Sequence, residues 1–233
     1  MSEARRYEVK LVGLALDYPR VLADLKLLPF ALRPLYQPRV VQSLYFDTHG
    51  GRALQENLAG LSERAKLRLR WYGEGGDLVD AKLERKRRVN GFGSKDVTPI
   101  GASLRIRGAS KRALTEGLSR TLRDRAGFED ALDGQSPAQW VRYRRDYFLT
   151  HDGRLRVTVD RDLQAFDQRH LLRLSDRLRT PLPDLLIVEV KADESQRGLL
   201  ELFTRELALR PSKCSKFVMA SSPSEGPTPS PYA

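Results

Sequence analysis

Lys66-Leu67-Arg68-Leu69-Arg70-Trp71-Tyr72-Gly73 alternates strictly between cations and apolar residues before it runs into a turn. Strand side chains repeat every two residues, so Lys66, Arg68 and Arg70 share one face while Leu67, Leu69 and Trp71 share the other. Any antiparallel strand with one wet face reads this way, so the stretch alone decides little. Repetition decides more. Arg6, Glu8 and Lys10 alternate with Tyr7, Val9 and Leu11, and Lys82, Glu84, Lys86 and Arg88 oppose Ala81 and Leu83. Arg154, Arg156, Thr158 and Asp160 alternate with Leu155, Val157 and Val159, while Glu189 and Lys191 oppose Leu186, Val188 and Val190. Strands of this kind, closed into one barrel with their charged faces inward, enclose a wet tunnel lined by cations and a few carboxylates. Such a lining suits a polyanion and a divalent metal.

Composition sets the limits. A chain of 233 residues suits one large mainly β domain, and 41 Lys and Arg against 30 Asp and Glu leave a formal charge of +11 that calls for an anionic partner. A single cysteine, Cys214, excludes an intramolecular disulfide framework and fits a reducing compartment. With no apolar leader and no run near the roughly 18 apolar residues of a membrane span, the expectation is a cytoplasmic protein that does not itself span a membrane.

In chain order, residues 5 to 13 read as a strand and Leu16 to Leu32 as an amphipathic helix around Pro19. Val40 to Asp47, Lys66 to Tyr72 and Leu78 to Val89 read as strands separated by glycine-rich turns, with a further turn at Asn90-Gly91. Leu114, Leu118 and Leu122 mark a second helix between Lys111 and Arg125. Arg142 to Leu149 and Leu155 to Leu163 form a hairpin around Asp152-Gly153, and Leu185 to Lys191 is the most apolar strand. A third helix covers Ser195 to Leu209, and Lys213 to Ala220 reads as a short closing strand or turn. Strand, turn and strand at hairpin spacing favour an antiparallel meander over βαβ units. One domain therefore covers residues 1 to 220, and the Ser/Pro-rich stretch 221–233 reads as a disordered tail.

Several of these stretches resemble one family in order. Arg6-Tyr7-Glu8-Val9-Lys10, Ser43-Leu44-Tyr45-Phe46-Asp47-Thr48 and Leu67-Arg68-Leu69-Arg70-Trp71-Tyr72-Gly73 are similar to the opening motifs of the VTC domain. Glu84-Arg85-Lys86 with Asn90-Gly91 and Lys95, Tyr143-Arg144-Arg145, Arg156 to Asp160, Glu189-Val190-Lys191 and Ser215-Lys216-Phe217 continue the match over about residues 5 to 220. That family is the polyphosphate polymerase domain within the triphosphate tunnel metalloenzyme (CYTH-like) superfamily. The resemblance implies a mainly β (α+β) fold, an eight-stranded antiparallel β-barrel tunnel with flanking helices. It implies transfer of the ATP γ-phosphate to a growing polyphosphate chain with a divalent metal, Mn or Mg. By motif, Lys10, Arg68, Arg70, Lys86, Lys95, Arg145, Arg156 and Lys216 bind phosphate, and all of these except Lys95 and Lys216 are also the catalytic set. Glu189 is the best-matched metal carboxylate, with Glu8 or Glu84 assisting. Arg6 stands where the adenylate cyclase and thiamine triphosphatase branch has glutamate. The SPX and membrane segments of the fungal proteins have no counterpart here, so coupling to translocation would need a separate membrane partner.

The chemistry agrees with that lining. Arginine forks match phosphate oxygens with two parallel hydrogen bonds, and phosphoryl transfer asks mainly for positioning and charge stabilisation. Glu189 interrupts an apolar strand, where an unpaired charge is costly. Glu84 suits an ion pair with Lys82, Arg85 or Lys86 equally well, and Asp47 suits turn capping as well as metal. His49, His151 and His170 share no spacing, and Cys214 has no histidine near it in sequence. Trp71, Tyr72, Tyr143 and Tyr147 suit either stacking on a nucleobase or barrel packing. Hydrolysis in the same tunnel and non-catalytic polyanion binding stay open as alternatives. No helix-turn-helix, zinc or RNP motif points to specific nucleic-acid recognition.

Overall fold

A computed structural model describes residues 6–90, 92–224 and 226–229. Gly91 of the expected turn, and Glu225 and 230–233 of the expected tail, lie outside the described residues. The chain runs β1 (Arg6–Leu14), α1 (Tyr18–Leu27), β2 (Arg33–Thr48), α2 (Arg52–Leu58), β3 (Arg64–Tyr72), β4 (Val79–Val89) and β5 (Phe92–Leu104). It continues through α3 (Lys111–Leu122), β6 (Gln135–Leu149), β7 (Leu155–Asp167), β8 (Leu185–Asp193), α4 (Arg197–Glu206), β9 (Arg210–Lys213), α5 (Lys216–Ser221) and β10 (Thr228–Pro229).

All described strands join one antiparallel sheet in the order β10-β9-β1-β8-β7-β6-β2-β3-β4-β5. Two hairpin meanders, β2 to β5 interrupted by α2 and β6 to β8, meet at the long β2–β6 pairing. The mainly antiparallel fold with flanking helices matches the expectation, but the eight-stranded closed barrel does not. The ladder passes through ten strands and is open, because β5 and β10 form no ladder with each other among the described residues. Strand twist nevertheless curls the sheet. Side chains bridge across the gap: Lys86 on β4 lies 3.6 Å from Glu8 on β1, and Lys66 on β3 donates to Ser215 Oγ at 2.9 Å.

The convex face holds the two larger cores. One gathers Leu67, Leu69, Trp71, Leu83 and Trp140 under Leu114, Leu118 and Leu122 of α3. The other gathers Leu11, Val157, Val159, Val188 and Val190 under α1 and α4. The apolar half of each alternating strand is thereby buried, which turns the charged half toward the concave face. One end of that concave face is filled by α5, whose Phe217 and Ala220 pack on Val41, Tyr45, Val141 and Tyr143.

Local chemistry explains the elements that the pattern missed. The segment Lys213 to Ala220, expected as a closing strand or turn, is mostly the helix α5, with only Lys213 at the end of β9, because Ser215 caps α5 by accepting from Val218 N. Asp47 resolves as a cap, accepting from the backbone amides of Thr48, Ala53 and Leu54 and so starting α2. β2 begins at Arg33, well before the expected Val40. Pro34 and Pro38 hide that extension, and the strand accommodates them with register shifts between Pro34 and Tyr36 and between Tyr36 and Arg39. Gly76 is required by contact, since a Cβ there would stand 2.9 Å from the Trp140 ring.

Trp71 is fully buried, stacks edge-on to Trp140 with centroids 5.5 Å apart, and donates to Gly75 O at 2.9 Å. Trp71→Ala is expected to destabilise the fold by about 3–5 kcal/mol, read as a lowered urea midpoint. A change below about 1 kcal/mol would show that the α3 core does not hold β3 in place.

Candidate functional site

Register places the cations. Ser43 is opposite Arg70, Tyr45 opposite Arg68, and Arg68 opposite Glu84 across β2, β3 and β4. Directly opposed residues share a face, so these side chains converge. Arg68 donates from Nε to Glu84 Oε2 at 2.7 Å and from Nη1 to the Tyr45 hydroxyl at 3.2 Å. Arg70 reaches the same carboxylate at 3.6 Å and donates to the Tyr143 hydroxyl at 3.2 Å. Lys95 on β5 donates to the other Glu84 oxygen at 2.8 Å. One carboxylate thus holds three cations. Burial opposes the Glu84 charge, yet Arg68 and Arg70 outweigh it and lower its pKa.

A second group forms across β6, β7 and α5. Arg145 binds Asp160 through two bonds of 2.5 and 2.7 Å, and Lys216 at the start of α5 approaches Asp160 Oδ2 at 2.6 Å. Asp160 is wholly buried. Burial disfavours its charge, but Arg145 and then Lys216 hold its pKa down. Lys216 also sits 4.7 Å above the Tyr143 ring.

A third group joins β1 and β8, where Lys10 is opposite Glu189 and Glu8 opposite Lys191. Lys191 lies 2.5 Å from Glu189 and 3.6 Å from Glu8, and Arg145 approaches Glu189 at 3.6 Å. Lys10 contacts Glu8 at 3.4 Å and donates to Cys214 O at 2.9 Å. Burial works against both charges, but the opposite neighbours prevail. The Glu189 pKa falls well below the usual range and the Lys10 pKa rises.

Among the described residues, several cations on this face have no carboxylate partner, Lys66 and Arg156 among them. Lys66 bonds Ser215 Oγ, and burial together with Lys10, Lys86, Arg64 and Arg68 holds its pKa down to about 7. Arg156, on the same alternation as Thr158 and Asp160, is exposed at the rim with no ion pair among the described residues. Buried polar atoms here also lack protein partners: Ser43 Oγ, Thr158 Oγ1 and Arg70 Nε. A concave face with surplus positive charge and open hydrogen-bonding capacity has the chemistry to receive an anion.

The structure therefore brings Lys10, Arg68, Arg70, Lys86, Lys95, Arg145 and Lys216 into one charged network, with Arg156 at its edge. It divides the three expected metal carboxylates, because Glu8 and Glu189 share Lys191 while Glu84 stands with Arg68, Arg70 and Lys95. No group of three or more potential metal ligands forms among the described residues. Asp160, Lys66 and Tyr45 carry no assigned role in the sequence reading, and Tyr143 enters it only as a stacking or packing ring. The alternation of Asp160 with Val157 and Val159 was the available signal for the first. His49, His151 and His170 lie exposed in turns, and Cys214 is buried, which raises its pKa. Trp71 belongs to the convex core and Tyr143 to the concave wall, while Tyr72 and Tyr147 stand at the mouth.

The chain belongs to the VTC domain family, whose model matches residues 4–223. A solved chain from Vibrio parahaemolyticus, described as a candidate adenylate cyclase, superposes with a TM-score of 0.51 at 13% identity, covering 93% of this chain and 99% of that one. At that identity the likeness shows the shared fold alone. No curated protein matches the sequence.

The Lys66 value lies below the usual 10.5, so its charged form costs stability below about pH 7, and the cost disappears above the usual lysine range. A bound anion reverses that preference, so binding between these values takes up a proton. Tripolyphosphate affinity is expected to fall about tenfold between about pH 7 and about pH 8.5, measured by calorimetry, and Lys66→Met to flatten the profile. An unchanged slope in the variant would assign the dependence elsewhere.

Proposed function

We propose that this chain is a metal-dependent polyphosphate polymerase, transferring the γ-phosphate of ATP to the end of an inorganic polyphosphate chain held on the concave face. The observation that carries the reading is the shared use of carboxylates: Glu84 by three cations, Asp160 by two, with Lys66 and Arg156 among those left over. A linear polyanion supplies the counter-charge that the fold does not. Membership of the VTC family supports the same substrate class.

In this reading Arg68, Arg70 and Lys95 hold one phosphoryl group, Arg145 and Lys216 the next, and Lys10, Lys86 and Arg156 continue toward the acceptor. Their carboxylate partners fix the forks before substrate arrives, so little reorganisation accompanies charge build-up in transfer. The acceptor oxygen of a polyphosphate end is already ionised and needs no general base. Attack by water does benefit from one, and Glu8, Glu84, Asp160 and Glu189 all have lowered pKa values, which makes them weak bases. Transfer is favoured over hydrolysis on that ground.

The donor set fits a hard divalent cation such as Mn or Mg. Glu189 and Glu8 offer carboxylate oxygens around a cationic position now filled by the Lys191 ammonium, and the unpartnered Thr158 hydroxyl is opposite Glu189 in the ladder. When bound, the metal would screen phosphate charge. Glu84 serves better as the anchor of Arg68 and Arg70. Among the described residues no helix is long and apolar enough to cross a membrane. We place the reaction in the cytoplasm, with any membrane partner a separate protein.

Incubation with ATP and manganese should yield long chains on a polyphosphate-stained gel with little free phosphate. Arg156→Ala, which strands no carboxylate, is expected to slow synthesis at least tenfold with an unchanged unfolding midpoint, and Arg68→Ala to abolish it. Stoichiometric orthophosphate without chains would replace the polymerase by a hydrolase, and neither product would leave a binding module.

A further inference from the structure

The cation site continues into an aromatic cluster at its mouth. Arg39 lies 4.6 Å from the Tyr36 ring centroid, 5.6 Å from Tyr72 and 5.8 Å from Tyr147, and the Tyr36 and Tyr147 rings meet edge-on at 5.5 Å. Arg39 is directly opposite Arg145 in the β2–β6 ladder, so both share the concave face. Tyr147 follows Arg145 by two residues and Tyr72 follows Arg70 by two, which keeps both rings on the face of those arginines.

Three features distinguish this cluster from core packing. Tyr36 and Tyr72 are 50% and 49% exposed, so each ring keeps surface available to a ligand beside Arg39. Arg39 is exposed and has no ion pair with a carboxylate among the described residues. The register shifts flanking Tyr36 break the regular pleat at this point, and irregularities of that kind re-aim side chains beside sites. Burial raises the Tyr147 pKa to about 12, so its hydroxyl stays neutral and adds no negative charge at the mouth.

We propose that Arg39, Tyr36, Tyr72 and Tyr147 form a nucleobase-stacking subsite, which holds the base of a nucleoside triphosphate at the mouth while its phosphates lie on Arg145 and Arg70. The proposal deepens the polymerase reading and rests on it. Stacking on tyrosine faces and a guanidinium plane uses the π-face common to every base, so it selects nucleoside triphosphates over bare polyphosphate without choosing between adenine and guanine.

The test compares two ligands that share phosphates and differ in the base. Calorimetric titration with ATP and with tripolyphosphate is run on the wild type and on Arg39→Ala, Tyr36→Leu and Tyr72→Leu, all exposed positions outside the cores. Expected is a five- to tenfold loss of ATP affinity in each variant, with tripolyphosphate affinity unchanged within about twofold. Equal losses for both ligands would make Arg39 a further phosphate cation and overturn the subsite, as would undiminished ATP binding in all three variants. A wild type that binds tripolyphosphate but shows no such differential sinks the subsite alone. A wild type that binds neither ligand sinks the polymerase reading and the subsite with it.

Discussion

Burial obliges the cations of the concave face to find partners, and four carboxylates are too few for them. Glu84 answers Arg68, Arg70 and Lys95, Asp160 answers Arg145 and Lys216, and Glu8 and Glu189 share Lys191. Removing water from a charge costs several kcal/mol unless geometry and hydrogen bonds compensate. The sharing achieves this for the deepest groups and leaves Lys66 with only a serine hydroxyl. The site is consequently ordered without being neutral, a condition that suits recognition of a multiply charged anion.

The convex cores keep that surplus concentrated. Because α1, α3 and α4 cover Leu, Val and Trp side chains on the outside, the strands cannot turn over without exposing them, and the charged residues have only the inside to occupy. At one end α5 sets apolar Phe217 beside the Lys216 that closes the charged lining. At the other, β2 carries its aromatic cluster on a stretch of irregular pairing. The same fold appears in a chain only 13% identical to this one, so what the face does depends on the residues along it rather than on the architecture.

Much of this was legible from alternation. The strict pattern in Lys66 to Trp71, repeated near Lys10, Glu84, Arg156 and Glu189, assigns the concave residues correctly because side-chain direction in a strand follows sequence parity. What parity does not carry is pairing between distant strands. It did not reveal that Glu8 and Glu189 share a lysine while Glu84 stands apart, nor that the ten-stranded ladder stays open. Prolines at 34 and 38 hid Tyr36 and Arg39, since they read as breaks rather than as an irregular strand. α5 was missed because its cap depends on one serine hydroxyl, and Asp160 because its two partners come from another strand and from that helix.

Selectivity among polyanions is the property that a shared-carboxylate cation network confers on the concave face. Titration of the intact chain with tripolyphosphate, orthophosphate and a short single-stranded DNA, at about 0.15 M and about 0.5 M salt, separates a preformed receptor from diffuse attraction. Expected is a one-to-one tripolyphosphate complex that persists at the higher salt, with orthophosphate weaker by orders of magnitude and DNA binding lost. Comparable affinities for tripolyphosphate and DNA, both collapsing with salt, would mean that the concave face is only a basic surface.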